Sequence, residues 1–192
     1  MRLTKLEDIE TLKPFDCGDD DLNEFLAVDA MFYRKQMLAN TFVVEDDEQT
    51  IAYYSLLNDK ISNSSVPKNL WRKLRNTIPH EKHFNSYPAV KIGRLAVSLA
   101  CKQGSIGTRL VAGIKQMLVA QQSQSACRFL TVDAYRAAVP FYEKNGFKML
   151  VNEISDDAHT VLLKNTYWGL RFLYAFELVH SPQDLETKEK KR

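Results

Sequence analysis

The stretch Ala89–Val97 constrains the fold of this chain more than any other. Val90 and Ile92 put the apolar positions on even numbers, whereas Leu95 and Val97 put them on odd ones, so the phase reverses across Gly93–Arg94. Strand side chains alternate between two faces, and a reversal needs one extra residue, which predicts a β-bulge at Gly93–Arg94. The strand then runs through a small-residue loop, Ser98–Ser105, into a helix with Leu110, Ile114, Met117 and Leu118 on one face. Free N–H groups at a helix start form an anion site, and Gly104 and Gly107 let a ligand come close to the backbone. No Gly-Lys-Ser/Thr closes the loop, so it is not a nucleotide-binding P-loop, and the spacing is not GxGxxG.

The rest of the chain fits one domain. Its 192 residues are 45% hydrophobic and 26% charged, which excludes a disordered or fibrous chain. Asp19–Asp21 offers capping carboxylates before Leu22, Phe25 and Leu26, and Phe32, Tyr33 and Met37 suggest a second helix. Thr41–Val44 and Ile51–Leu57 read as a hairpin around Asp46–Glu48. Residues 58–88 read as a polar insertion with a helical patch at Leu70, Trp71 and Leu74. Phe129–Asp133 is a buried-type strand, Arg136–Asn145 a short helix stopped by Gly146, and strand-like runs follow at Phe147–Val151, Thr160–Leu163 and Tyr167–Leu178. Hairpins mixed with β–loop–α–β units predict an α/β or α+β domain over residues 1–181, with a charged tail at 182–192.

Charge and cysteine usage narrow the function. A net charge of +2 means that any nucleic-acid contact must be local. Cys17, Cys101 and Cys127 are odd in number and without CxxC spacing, suggesting neither a disulfide framework nor a metal site. The acidic N-terminus does not read as a signal peptide and no long apolar run reads as a membrane span, so the expectation is a cytoplasmic protein with no membrane partner.

Two segments together resemble the GNAT superfamily of N-acetyltransferases. The first is Leu95-Ala96-Val97 followed by Lys102-Gln103-Gly104-Ser105-Ile106-Gly107; the second is Ala138-Val-Pro-Phe-Tyr142-Glu-Lys-Asn-Gly-Phe147. The family has a "LAV" bulged strand, a loop of pattern Gln/Arg-x-x-Gly-x-Gly/Ala and a later "A-x-x-FY-x-x-x-GF" helix. The resemblance implies a mixed, mostly antiparallel central sheet, with a splayed, bulged strand at 89–97 and helices on its faces. Three positions depart from the pattern: Lys102 replaces Gln/Arg, Ser105 replaces the first loop glycine, and Tyr135 stands where many members have Asn. Lys102 keeps a positive charge, whereas Ser105 disfavours positive φ, implying weaker cofactor binding.

The implied cofactor is acetyl-CoA, with CoA as product. Its pyrophosphate would meet Lys102, Gln103, Gly104, Ser105, Ile106, Gly107 and Thr108, and its peptide-like arm the strand edge at Leu95, Ala96 and Val97, with Tyr135 and Ala138 beside it. Val97 would supply an oxyanion-stabilising N–H, and Tyr142 a proton for the departing thiolate. Lys91, Arg94 and Asp133 are candidates for the acceptor side; Glu45 and Asp46 cannot be told from turn acids, and His80 and His83 read as surface residues.

Two classes of function stay open. One is an acetyl-CoA-dependent N-acetyltransferase acting on a primary amine. Phe15–Leu26, Thr41–Val44 and Gly93–Val97 resemble the toxin branch, which acetylates the α-amine of aminoacyl-tRNA. That branch implies a ribbon-helix-helix antitoxin and is compatible with a homodimer, and Lys68, Arg72, Lys73 and Arg75 would then be phosphate contacts. The other is a non-catalytic acyl-CoA-binding or interaction module on the same fold.

Overall fold

The structure, a computed structural model, describes residues 1–76, 84–102, 104–121, 126–152 and 171–177. It divides into two compact units: Met1–Asp59 with Val90–Met117, and Lys60–Ala89 with the described residues from Leu118 on.

In the first unit four strands lie side by side in the order β1 (Arg2–Lys5), β2 (Asn40–Glu45), β3 (Thr50–Ser62) and β4 (Ser86–Val97). The strands β1 and β2 are antiparallel, with Arg2 opposite Glu45, and β2 and β3 form the expected hairpin, with Thr41 opposite Ser55. Asp46 makes its turn: one carboxylate oxygen accepts the amides of Glu48 and Gln49, both at 2.9 Å. Thr50–Leu56 are buried without a break, which marks β3 as a strand covered on both faces. The edge strand β1 is not among the sequence expectations. It is short and carries Arg2 and Lys5 around a single apolar residue, the composition that protects a sheet edge rather than the alternation that announces a strand.

Between β1 and β2 the chain is helical. Asp19 caps α1 (Asp20–Glu24) by accepting the Leu22 amide at 3.1 Å. One π turn over Phe25–Asp29 then leads into α2 (Ala30–Lys35). Ala30 N–H donates to Phe25 O across that turn, so Ala30 sits over Phe25 and both enter one core with Leu6, Cys17, Leu26, Val43, Tyr53 and Ala96. Tyr53 is fully buried, and its hydroxyl donates to Leu22 O at 2.7 Å, which satisfies the one polar atom it brings inside. The helix α4 (Ile106–Ala120) buries Ile114 and Leu118 of the apolar face read from its spacing, leaves Leu110 and Met117 half-buried, and also buries Val111, which that spacing does not include.

The second unit places β7 (Arg171–Glu177) between β5 (Phe129–Tyr135) and β6 (Lys148–Asn152), antiparallel to both. The polar insertion is largely structured. β3 continues to Ser62, β4 begins at Ser86, and α3 (Lys68–Asn76) packs Leu70, Trp71 and Leu74 against Ile61, Val66, Tyr87, Ala89, Phe129 and Leu150. The helix expected at 136–145 is a 3-10 turn, Arg136–Ala138, followed by α5 (Val139–Lys144). The strand expected at Thr160–Leu163, the charged tail at 182–192, His80 and His83 lie outside the described residues.

Along β4 the burial phase does reverse, but earlier than the sequence suggests. Tyr87 and Ala89 are buried on odd positions and Ile92 and Ala96 on even ones, so the change falls between Ala89 and Ile92. Leu95 and Val97 are only half-buried and do not restore the odd phase. Gly93 answers to a different constraint: a Cβ there would lie 2.7 Å from Leu57 Cδ2 and 3.1 Å from Ser55 Oγ on β3. Gly93→Val is therefore expected to cost ~1–3 kcal/mol in urea unfolding, and Leu57→Ala in the same chain to recover part of it. An unchanged midpoint for Gly93→Val would contradict the close approach of the two strands.

Candidate active site

The end of β4 sets the geometry of the candidate residues in the first unit. Ser98 N–H donates to Ile51 O on β3 at 2.8 Å. Successive amides along a strand point in opposite directions, so the Val97 N–H is aimed away from β3. The Val97 side chain packs with Ile51, Ala52, Ile106, Cys101 and Leu110, whereas Ala96 faces the other core beside Tyr53. Side chains on both faces thus hold the strand at Ala96 and Val97, with the Val97 amide on the side away from β3.

A 3-10 turn, Leu99–Cys101, carries the chain into the loop. Lys102 is exposed and Gln103 lies outside the described residues. Gly104 has φ +103°, and nothing lies within 4 Å of where its Cβ would be, so the loop is open on that side. Arg109 N–H makes the first turn of α4 by donating to Ser105 O at 3.0 Å. The amides of Ile106, Gly107 and Thr108 therefore precede the first intrahelical donor, Arg109 N–H, and have no intrahelical acceptor among the described residues, with the positive end of the helix dipole behind them. Ile106 is buried and anchors this turn. Clustered amide donors, an open glycine and the Lys102 ammonium suit a diphosphate.

Ser105 adopts φ +59°, the left-handed conformation expected for the glycine it replaces. A side chain there costs energy that glycine would not. Ser105→Gly is expected to stabilise the chain by ~1 kcal/mol and raise its melting temperature; an unchanged or lower melting temperature would contradict the strain.

The acceptor-side candidates on β4 are both engaged. The Arg94 guanidinium lies 5.1 Å from the centre of the Phe25 ring, donates from Nη1 to Gly93 O at 3.1 Å, and places Nη2 3.7 Å from Asp21 Oδ2. Its Nε is buried without an acceptor among the described residues. Lys91 pairs with Asp59 at 3.8 Å. Glu45 does turn work, accepting from the Lys13 amide at 3.3 Å and the Thr50 hydroxyl at 3.1 Å. A groove lined by Arg2, Lys5, Lys13, Glu45 and Asp46 holds none of the cofactor candidates.

In the second unit Asp133 is exposed within β5, Tyr135 ends that strand half-buried, and Ala138 caps α5. Tyr142 is buried, with edge-to-face contacts to Phe141 at 5.0 Å and Phe147 at 5.3 Å. Burial pushes its phenol pKa well above the ordinary value. Its carbonyl accepts the Phe147 amide at 3.1 Å while Gly146, at φ +82°, donates to Glu143 O at 2.9 Å, a Schellman closure that fixes the turn carrying Tyr142. No metal-binding cluster exists among the described residues, and all three cysteines are free.

Residues 82–162 match the family model of the Acetyltransferase (GNAT) domain. Among solved structures, a tyrosine-to-phenylalanine variant of KacT is 21% identical, with 97% of this chain and 98% of that chain covered at a TM-score of 0.68. AtaT complexed with acetyl-methionyl-tRNAfMet is 20% identical at a TM-score of 0.66, covering 98% of each chain. AtaTR bound with AcCoA is 19% identical at 0.67, covering 98% of this chain and 97% of that one. The fold is thus shared over nearly the full length with these acetyltransferase-fold structures, and residues 82–162 carry the match to the GNAT domain model.

Proposed function

We propose that the chain transfers the acetyl group of acetyl-CoA to the α-amine of an aminoacyl-tRNA. The observation that carries the reaction class is the β4–α4 junction, where the Val97 amide faces away from β3 and the chain leads to the amides of Ile106–Thr108, which have no intrahelical acceptor among the described residues, within the segment that matches the acetyltransferase model. The acceptor is supported by the Phe15–Leu26 and Gly93–Val97 patterns, by the likeness to AtaT complexed with acetyl-methionyl-tRNAfMet, and by the exposed cations Lys68, Arg72 and Lys73 on α3. Described neighbours also include the KacTA–DNA complex, which supports a DNA-binding antitoxin as partner. No described helix is long and apolar enough to cross a membrane.

In this reading acetyl-CoA supplies an activated acyl thioester, and the protein binds, polarises and protonates. Lys102 and the amides of Ile106, Gly107 and Thr108 hold the pyrophosphate, and the Leu95–Val97 edge holds the arm. The Val97 N–H takes up charge developing on the acetyl oxygen. The amine nitrogen bonds to the acetyl carbon as the C–S bond breaks, and the Tyr142 hydroxyl gives its proton to the sulfur. A thiolate with a pKa near ~8.5 is a weaker base than a phenolate near ~10, so that donation helps while charge develops rather than after it. An α-amine with a pKa near ~7.7 is partly neutral at pH 7 and loses its proton to water without a dedicated base.

Tyr142→Phe should lower kcat by ~10²–10⁴-fold while CoA affinity stays within a few-fold and melting changes little. Turnover within threefold of wild type would remove the general acid. Because burial holds the phenol above its ordinary pKa, the donor stays protonated across the working range. The rate should therefore rise with pH as the amine deprotonates and stay level to about pH 10. A fall centred between pH 8 and 9 would contradict Tyr142 as the donor. Gly107→Glu places a carboxylate among the phosphate-binding amides and should abolish calorimetric CoA binding in a folded chain; unchanged affinity would remove this loop from the site.

The acceptor is tested with radiolabelled acetyl-CoA, bulk aminoacyl-tRNA and free amines side by side. Label in tRNA that mild alkali releases as N-acetyl amino acid is the expected result. Label only in small amines would overturn the tRNA acceptor, and CoA binding without thiol release would mark a non-catalytic module.

A further inference from the structure

The Phe15–Leu26 pattern takes no part in the chemistry above, yet it is built around hydrogen bonds that reach the cofactor loop. One Asp16 carboxylate oxygen accepts the Gly18 amide at 2.8 Å and Asn23 Nδ2 at 2.9 Å. Asn23 Oδ1 in turn accepts the Cys17 amide at 3.0 Å and the Cys17 thiol at 3.2 Å. This knot turns the Asp16 carbonyl toward β4, where it accepts the Leu99 amide at 2.9 Å. Gly18 lies against the Leu99 side chain: a Cβ on it would come within 3.2 Å of Leu99 Cδ1.

Leu99 opens the 3-10 turn that leads from Val97 to Lys102. Beyond Ser98, the hydrogen bonds that tie this turn to the rest of the unit among the described residues are the one to Asp16 O and a long contact from Gln49 Nε2 to Cys101 Sγ at 3.8 Å, while the Cys101 side chain packs against Ile51, Ala52 and Ile106. The Asp16 carbonyl is thus the strong hydrogen bond that fixes the start of the turn, ahead of the phosphate-binding loop. Charge works the other way. The Gly18 amide, Asn23 and then Lys102 hold the exposed Asp16 carboxyl below its usual pKa, so it stays ionised near the pyrophosphate's proposed cation. An acid there is unfavourable for a polyanion, so what Asp16 offers the loop is the geometry of its hydrogen bonds rather than its charge.

We infer that Asn23 is a positioning residue for acetyl-CoA, locking Asp16 so that its carbonyl fixes the Leu99 turn and, through it, the loop Lys102–Thr108. The inference rests on the acetyl-CoA reading. Asn23 touches none of the proposed cofactor groups and acts through Asp16 and Leu99.

The test compares three variants of the full chain by calorimetric CoA affinity, melting temperature and separate KM values for acetyl-CoA and acceptor. Asn23→Ala should weaken CoA about tenfold and raise the acetyl-CoA KM in step, with kcat and acceptor KM within threefold. Leu99→Pro removes the tether amide, together with a half-exposed side chain that meets Gly18, and covers the case in which Asn23→Ala does not fold. Ser98 already has φ −52° and ψ 141°, the conformation a residue before proline favours, and proline suits a first helical position. It too should weaken CoA about tenfold. Asp16→Asn keeps an oxygen for both hydrogen bonds and deletes the charge, so its CoA affinity should equal or exceed that of wild type. Folded Asn23→Ala or Leu99→Pro chains that bind CoA within twofold of wild type overturn the inference, even with lowered melting temperatures. So does an Asp16→Asn chain that loses CoA as Asn23→Ala does, because charge rather than geometry would then be at work. A wild-type chain that binds no CoA fails the acetyl-CoA reading itself.

Discussion

The hydrogen bond from Ser98 N–H to Ile51 O is the hinge of the arrangement. It assigns the last pairing direction of β4, and strand geometry then turns the preceding amide of Val97 outward. Immediately after it the chain leaves the sheet for the Leu99–Cys101 turn and the start of α4. Apart from the Lys102 ammonium, everything proposed to hold acetyl-CoA in this unit is backbone, so a single pairing error on β4 would misplace it. That dependence explains why the strand is pinned on both faces, with Ala96 in one core and Val97 against Ile106 in the other.

Packing in the first unit serves that strand. β3 is buried without interruption over Thr50–Leu56, and Gly93 lets β4 pass close to Leu57 and Ser55. Fully burying aromatic side chains stabilises by about 1.5–3 kcal/mol each relative to exposure, and Tyr53 meets Phe15 and Phe25 at 5.3 and 6.2 Å between ring centres. Arg94 adds its guanidinium to the Phe25 ring. The same side chains that make the core therefore hold α1 and its acidic start against the strand, and with them the Asp16 carbonyl that meets Leu99. Ser105 opposes this order. Its left-handed backbone is a local cost carried by the surrounding turn, placed where ligand contacts are proposed.

Much of this was legible in the residues themselves. The hairpin around Asp46, the apolar face of α4 and the stop at Gly146 follow from alternation, helical spacing and C-cap chemistry, and each appears in the structure. The left-handed state of Ser105 was legible from the glycine it replaces. Other features depend on long-range contact and leave no local trace. Gly93 is dictated by Leu57 and Ser55, far away in sequence, and the burial phase of β4 changes between Ala89 and Ile92 rather than at Gly93–Arg94, where alternation alone places it. Strand β1 is recognised through pairing with β2 rather than through its own composition. The acceptor candidates Lys91 and Arg94 read as available cations, but Asp59, Asp21 and Phe25 engage them once the chain folds. Asn23 showed only as part of a family pattern, because its role depends on a hydrogen bond that joins residues 16 and 99.

Backbone amides as the holders of acetyl-CoA are the central claim, and amide-resolved NMR of the wild-type chain titrated with CoA tests it most directly. The account predicts that Val97, Gly107 and Thr108 show the largest shifts, saturating together at one CoA per chain. Amides at those positions that stay still, with shifts gathered instead at Arg2, Lys5 and Lys13 around the groove they line with Glu45 and Asp46, would contradict it.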